Sequence, residues 1–247
     1  MKRWMIFGGL TLLVAVFASL ATMPSRFVLD QVRARDAAIT YLNASGTVWN
    51  GSASRMYYGI QPIGTLTFKT HWASLFAGRL ANELQLTGSG LSGQASASFG
   101  LGGTMRFSNV RIEGTTQDLA NLQDEIRELN GRFTLVLNSM EIRNGECLSA
   151  EGTVWTDLLS RLQTTYRWTG PEVTGPVRCE NGQIVLELNG QNAVGEQVAM
   201  RLDIGLDATG VFTADVETLQ RETGDALTVL GFVSDGANGF TYRYEIS

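Results

Sequence analysis

Few side chains in this 247-residue sequence are of a type that carries out chemistry. His71 is the single histidine, and it stands in the run Lys69-Thr70-His71-Trp72 on a predicted strand, where we expect it to face solvent or lie at an edge. No G-x-S-x-G pattern supplies a nucleophile beside it. Two cysteines and one histidine do not make a Cys/His zinc site without several carboxylates. We therefore predict no catalytic, cofactor-binding or metal-binding residues, and a protein that is not an enzyme.

Carboxylates are the remaining candidates for acid–base chemistry or cation binding. Around the segment between the two cysteines lie Glu141, Glu146, Glu151, Asp157, Glu172 and Glu180. No two of them stand out as an acid–base couple, although carboxylates distant in sequence can meet in space. No D-x-D-x-D-G spacing indicates a calcium loop. A weak cation site is the alternative to a simple spread of negative charge.

Composition excludes several other classes of protein. The chain is 44% hydrophobic and 17% charged, a balance too apolar for a disordered protein. Its net charge of −5 is unlike that of a nucleic-acid binder, which is usually basic. With 28 glycines and four prolines, the chain is a glycine-rich globular protein large enough to bury a core.

The N-terminal segment has the pattern of a membrane anchor. Trp4–Ala21 contains no charge and follows Lys2 and Arg3. As a helix it spans about 27 Å, close to the hydrocarbon thickness of a bilayer. The positive residues place 1–3 in the cytoplasm and the rest of the chain beyond the membrane. A cleavable signal peptide is the alternative, because Ser19-Leu20-Ala21 has small residues where a peptidase cuts; the length of the apolar stretch favours a retained anchor.

Export across the membrane would place the two cysteines in an oxidising compartment. In an oxidising compartment, a pair such as Cys147 and Cys179 normally forms a disulfide. Redox-active pairs are the alternative, but they are normally spaced as closely as C-x-x-C. We predict a structural bridge that closes a loop of about 33 residues.

The rest of the chain alternates apolar and polar residues as antiparallel strands do. The alternation is clearest at 80–87, 198–207 and 240–246. In 133–142 it shifts by one residue, which predicts a β-bulge near Asn138. We expect a mainly β, antiparallel and curved sheet over residues 44–247, joined to the anchor at 4–21 by a connector at 22–43.

Short turns and helices complete the predicted sheet domain. Asparagine–glycine and aspartate–glycine pairs predict hairpin turns: Asn130-Gly131, Asn144-Gly145, Asn181-Gly182, Asn189-Gly190, Asp235-Gly236 and Asn238-Gly239. The connector has a short helical stretch at 30–36. Helical spacing predicts an amphipathic helix over 116–129, packed on the sheet or docking a partner, and a second short helix over 157–163.

A weak internal repeat is also present. Gly46-Thr47-Val48-Trp49-Asn50-Gly51 recurs as Gly152-Thr153-Val154-Trp155-Thr156-Asp157. Two copies about 106 residues apart are compatible with two related β-halves. A tryptophan in a strand usually packs in the core or at an edge.

These motifs carry a family resemblance. G-T-V-W-N-G at 46–51, C-L-S-A-E-G-T-V-W-T-D at 147–157 and W-T-G-P-E-V-T-G-P-V-R-C-E-N-G-Q at 168–183 follow a positively flanked anchor. Together they resemble protein N of the type II secretion system, over nearly the whole chain. The motif positions that we take from this resemblance are Gly46, Trp49, Gly51, Gly152, Trp155, Asp157, Trp168, Gly170, Pro171 and Gly182.

The resemblance implies a single-pass inner-membrane protein with a periplasmic β-rich domain. It would be an accessory subunit of the machinery that exports folded proteins across the outer membrane, with other secretion subunits as partners. It carries over no catalytic residues, and it places the family's cysteine pair at Cys147 and Cys179.

Two functions remain open. The first is a scaffold that contacts other secretion subunits through exposed sheet edges or the anchor. The second is a lipid-binding or lipid-transfer module whose apolar face holds acyl chains. A continuous open groove lined by Leu84, Leu202, Ile204 and Phe240 would favour the second, whereas cover by the 116–129 helix and a second sheet would disfavour it.

Overall fold

A computed structural model describes residues 22–35, 37–88, 90–100, 102–120, 122, 124–163, 168–207, 209–236 and 238–246. The helices among them are α1 (Ser25–Arg35), α2 (Asp124–Glu128) and α3 (Arg221–Val229). The strands are β1 (Ile39–Thr40), β2 (Asn43–Gly46), β3 (Asn50–Tyr58), β4 (Gln61–His71), β5 (Arg79–Thr87), β6 (Leu91–Gly100), β7 (Thr104–Thr115), β8 (Arg132–Arg143), β9 (Glu146–Thr156), β10 (Val173–Glu180), β11 (Gln183–Gln191), β12 (Gln197–Ile204), β13 (Gly210–Glu217), β14 (Val233–Ser234) and β15 (Gly239–Ile246).

All of these strands form one antiparallel sheet. Its order is β1-β3-β4-β5-β6-β7-β8-β9-β10-β11-β12-β13-β15-β14, and β2 pairs with β3 beside β1. From β3 to β12, each strand therefore pairs with the strands that precede and follow it in the sequence, whereas β13 pairs with β12 and β15. Among the described residues, the two ends of this order do not pair with each other, so the sheet is open. The prediction of a mainly β, antiparallel fold is confirmed.

Tight hairpins produce this order. Asn144 and Gly145 have φ of 54° and 81°, and Asn181 and Gly182 have φ of 52° and 82°. Positive φ at both central residues is the two-residue turn that matches the twist of paired strands. These two predicted turns are confirmed.

The predicted turn at Asn189-Gly190 is wrong, because both residues lie within β11. Gly190 is needed there for space: a Cβ on this residue would lie 2.3 Å from the backbone oxygen of Glu172. The glycine therefore permits close approach of the neighbouring chain and does not reverse its direction.

The predicted bulge at Asn138 is confirmed. Against β9, the pairing of β8 shifts from Leu137–Gly152 to Ser139–Glu151, so that Asn138 is the extra residue. Against β7 the register is the same on both sides of this point, and only Asn138 and the opposing Asn109 are left out of the pairs. The bulge keeps apolar residues on one face on both sides of the shift.

The predicted helix over 116–129 is wrong. A 3₁₀ turn covers Thr116–Asp118, and α2 covers only Asp124–Glu128. Gln61, at the start of β4, accepts a hydrogen bond from the Ala120 backbone N–H at 2.5 Å and donates to the Asp118 backbone oxygen at 2.9 Å. Because these two backbone groups bond to the Gln61 side chain, they are not available for the backbone hydrogen bonds of a continuous helix.

The other predicted helices are present in modified form. The helical stretch expected at 30–36 belongs to the longer α1, which packs Leu29 against Ala53 and Met56 of β3. A 3₁₀ helix at Leu158–Leu162 falls within the predicted 157–163.

Apolar residues gather on one face of the sheet. One row of directly paired residues crosses it from β7 to β15: Val110, Leu137, Gly152, Val177, Leu186, Leu202, Phe212 and Tyr244. Three separate buried clusters lie along the sheet, one at β3 with α1, one around β7–β10, and one around β10–β13 with α3. The core is therefore distributed along the sheet.

Within the described part of the chain, no helix combines the length and the apolar character that crossing a bilayer requires. The predicted anchor at Trp4–Ala21 lies outside the described residues.

Candidate functional site: the disulfide and the carboxylate networks

The disulfide joins two neighbouring central strands. Cys147 of β9 is bonded to Cys179 of β10, with their Cα atoms 5.5 Å apart. The register of β8 with β9 shifts between Glu141 and Ile142, which pairs Cys147 directly with Ile142 on the apolar face. Cys147 is buried there in the cluster that contains Val177. The predicted bridge is confirmed, and its burial in the core is typical of a structural disulfide.

Gly182, one of the motif positions, lies beside this bridge. It occupies the β10–β11 turn, and its backbone oxygen accepts a hydrogen bond from the Cys147 N–H at 2.9 Å. The disulfide and this turn therefore hold the same corner of the sheet together.

Asp157 follows β9 directly and is buried. Its carboxylate accepts hydrogen bonds from the Arg132 backbone N–H at 2.6 Å, from Arg132 Nε at 3.0 Å and from Arg161 Nη2 at 2.7 Å. Burial raises the pKa of this carboxyl, but the bonds from Arg132 and Arg161 outweigh it and leave the pKa below its usual value. Asp157 thus ties the start of β8 to the end of β9.

Trp155 is on the polar face of β9, next to the same arginine. Its Nε1 donates to Glu172 Oε2 at 3.1 Å, and the Arg132 guanidinium lies 5.7 Å from the centre of its ring. A cation over an indole face is attracted by the ring quadrupole. Arg132 therefore connects Trp155 to Asp157.

Trp168 leads to a second buried carboxylate, which sequence reasoning missed. Its Nε1 donates to Glu196 Oε2 at 2.8 Å, and Asn192 Nδ2 donates to the same oxygen at 2.6 Å. Thr218 Oγ1 donates to Glu196 Oε1 at 2.5 Å. Glu196 is only 4% exposed. We call these four residues the Glu196 network.

The Glu196 network stabilises the ionised carboxylate. Burial raises the pKa of Glu196, and hydrogen bonds from Thr218, Trp168, Thr223 and Asn192 lower it further than burial raises it. The donors come from the segment before β10, the β11–β12 loop, the residue that follows β13, and α3. No local sequence motif predicts this network, because its residues are far apart in the sequence.

Gly152, Gly170 and Pro171 are motif positions at which chains pass closely. A Cβ on Gly152 would lie 2.3 Å from the Val136 backbone oxygen, and one on Gly170 would lie 2.8 Å from the Leu159 Cβ. Pro171 is buried, and a Cβ on Gly190 would lie 3.0 Å from the Pro171 Cβ. The small or rigid residues at these positions therefore allow neighbouring segments to pack closely around β10.

Gly46, Trp49 and Gly51 lie elsewhere, at the β2–β3 edge. Gly46 has a φ of 86°, and the Trp49 backbone oxygen accepts a hydrogen bond from Thr70 N–H at 2.7 Å. A Cβ on Gly51 would meet the Phe68 ring. The structure does not bring these residues to the motif positions on β9 and β10, from which several strands separate them. The two copies of the repeat also differ locally, since 46–51 includes a turn and 152–156 is strand.

Several other charged residues form ion pairs on the surface. Arg201 contacts Glu180, Glu187 and Asp203, which raises its pKa, chiefly through its hydrogen bonds to Asp203 and Glu180. The exposed His71 places Nε2 2.9 Å from Glu83 Oε1. Among the described residues, no three histidine, cysteine or acidic side chains are grouped to hold a metal ion.

The fold and these contacts define a disulfide-bridged protein built on a single open antiparallel sheet, whose polar networks join its strands and loops. A family model described as type II secretion system (T2SS), protein N matches residues 37–242. The chain therefore belongs to the type II secretion system protein N family, as its motifs predicted. No curated protein and no solved structure matches it. Family membership indicates a component of type II secretion that is associated with the cell envelope.

Proposed function

We propose that this chain is an accessory inner-membrane subunit of the type II secretion machinery, with a scaffold role and no catalytic role. The observation that carries the proposal is the family match over residues 37–242, which covers nearly the whole sheet. The disulfide supports an oxidising compartment for the sheet, because such bonds persist outside the cytoplasm.

The proposed topology has a cytoplasmic N-terminus, an anchor at 4–21 and a periplasmic domain. Its support is the uncharged stretch behind Lys2 and Arg3. The intact mass of the mature protein tests the anchor, since a chain that begins at Thr22 would have lost it. A Ser92→Cys variant tests the orientation: a membrane-impermeant maleimide should label this exposed residue from the periplasmic side of intact inner membranes.

The scaffold role is tested by affinity purification of the tagged full chain from detergent-solubilised envelopes. A tagged, unrelated single-pass inner-membrane protein in the same strain is the control. We expect other type II secretion subunits in the eluate of the chain and not in that of the control. Recovery of phospholipid without any secretion subunit would contradict the scaffold role.

Lipid binding is the second candidate, and the apolar face is the observation that favours it. Leu84, Leu202, Ile204 and Phe240 are all half-buried, so part of their apolar surface remains accessible. However, the shallow depression of ≈ 490 Å³ at β4–β6 is lined mainly by polar residues such as Lys69 and Glu83, which alternate with Leu84 along the strands and therefore lie on the opposite face. Quantifying phospholipid in the same eluates, against the control protein, separates the two candidates.

A further inference from the structure

The two edges of the sheet differ in how far neighbouring strands cover them. At the N-terminal edge, β1 and β2 both pair with β3, and the Pro24–Thr47 bridge and α1 lie beside them. At the C-terminal edge, β14 pairs with β15 only at Thr241 and Phe240. Among the described residues, no strand lies beside the outer edge of residues 242–246. An edge of this kind is a template for another strand.

The backbone groups that face this edge can be assigned. Asp235 N–H donates to the Gly239 backbone oxygen at 3.0 Å, and Val233 is the partner of Thr241. Because alternate residues of a strand bond to opposite neighbours, the N–H and C=O groups of Arg243 and Glu245 also point outward. The open edge thus presents hydrogen-bonding groups at two residues, centred on Tyr244.

The side chains at this edge are complementary to their own copy. In an antiparallel pairing of β15 with β15 of a second molecule, centred on Tyr244, each Arg243 lies directly opposite the other molecule's Glu245. The two side chains are 63% and 79% exposed, and they approach each other within one molecule only at 3.9 Å. Directly opposed opposite charges stabilise a strand pair, whereas like charges destabilise it.

This register also fits the length of the open edge. It pairs residue 242 with residue 246 of the other copy, so five residues pair before β14 begins on either side. Tyr244 is 54% exposed and would face its own copy across the two-fold axis. A register centred on Arg243 would place the two Arg243 side chains opposite each other, and one centred on Glu245 would do the same for the two Glu245 side chains. Both alternatives bring like charges together.

We infer that two copies of this chain associate through antiparallel pairing of β15 at residues 242–246, which joins their sheets. This interface is independent of the secretion partners. Five paired residues bury less than a standard interface of about 1,600 Å², so we expect a dimer that depends on concentration.

Charge reversal tests the inference on the detergent-solubilised full chain by sedimentation over a range of concentrations. Arg243→Glu and Glu245→Arg each place like charges opposite at both symmetric contacts, and each should weaken dimerisation at least about tenfold. The double variant R243E/E245R restores both pairs and should dimerise as the parent does. An equimolar mixture of the two single variants should form heterodimers, because every contact is then complementary.

Disulfide cross-linking gives an independent measurement. Tyr244→Cys should form a covalent dimer on oxidation, because non-hydrogen-bonded antiparallel partners have Cα atoms about 4.5 Å apart. Ser92→Cys, on the central strand β6, is the matched control and should form no covalent dimer. A monomeric parent, single variants that dimerise like the parent, or Tyr244→Cys that cross-links only to another polypeptide would each overturn the inference.

Discussion

Glu196→Ala removes the acceptor of a buried network and leaves its donors without a partner. Trp168, Asn192 and Thr218 each donate to this carboxylate at 2.5–2.8 Å. A hydrogen bond to a charged group contributes about 1.5–3 kcal/mol, but deletions within one network are not additive. Since Asn192 lies in a loop that can reach water, we expect a loss of about 3–5 kcal/mol.

The loss should appear in the thermal unfolding of the full chain in mild detergent, followed by tryptophan fluorescence. For a protein of this size, 1 kcal/mol shifts Tm by about 2–4 °C, so the expected decrease is about 6–20 °C. Glu217→Gln is the control, because Glu217 is an exposed glutamate of the neighbouring strand, and its Tm should change by less than about 2 °C. Equal Tm values for the two variants would refute the assignment of Glu196 as a stabilising acceptor.

The pH dependence of the same measurement tests the charge of Glu196. Its pKa is lower in the folded protein than in the unfolded chain, where a glutamate titrates at about 4.3. The ionised carboxylate therefore stabilises the fold above that pH, and this contribution is lost as the pH falls through the lower, folded-state pKa. The Tm difference between the parent and Glu196→Gln should shrink as the pH is lowered below about 4. A difference that grows in acid would contradict this.

Three further predictions concern the disulfide, Asp157 and one glycine. Replacing Cys147 and Cys179 together by serine should destabilise the fold by up to about 3.7 kcal/mol, measured by denaturant unfolding of the oxidised parent and the variant; equal midpoints would refute a structural bridge. Asp157→Asn should cost about 1–3 kcal/mol in the same assay, because the amide is uncharged and places N–H groups among arginine donors; an unchanged midpoint would contradict the network. Gly175→Ala should destabilise the fold by about 3 kcal/mol or more, because its Cβ would lie 1.6 Å from a backbone oxygen. Gly100→Ala is the control: its Cβ would lie 3.7 Å from the nearest atom, and stability should change by less than about 1 kcal/mol. Similar effects of the two substitutions would refute the steric explanation.

The sheet was predictable because its determinants are local. Period-two alternation marks a strand with two different faces, and the phase shift at Asn138 marks the bulge without any knowledge of its partner strand. Turns such as Asn144-Gly145 fix which strands become neighbours. Strand order in a meander therefore follows from the order of turns in the sequence.

The misinterpreted features depend on residues far apart in the chain. The 116–129 segment has helical spacing, but Gln61, more than fifty residues away, binds its backbone at Ala120. Gly190 has the sequence of a turn, but its role depends on the approach of Glu172. Glu196 is surrounded by donors from four segments, so nothing in its neighbourhood distinguishes it from a surface glutamate.

Photocrosslinking in living cells that carry the complete secretion system tests the central claim most directly. Benzoylphenylalanine at the exposed positions Ile60, Leu219 and Tyr244 would sample the β3–β4 turn, the segment before α3 and the open edge, with Ser92 on the polar face of β6 for comparison. If this chain is a scaffold subunit of type II secretion, at least one of these positions forms an adduct with another subunit of that system. Adducts only with the chain itself or with proteins outside the system, at all four positions, would contradict the account.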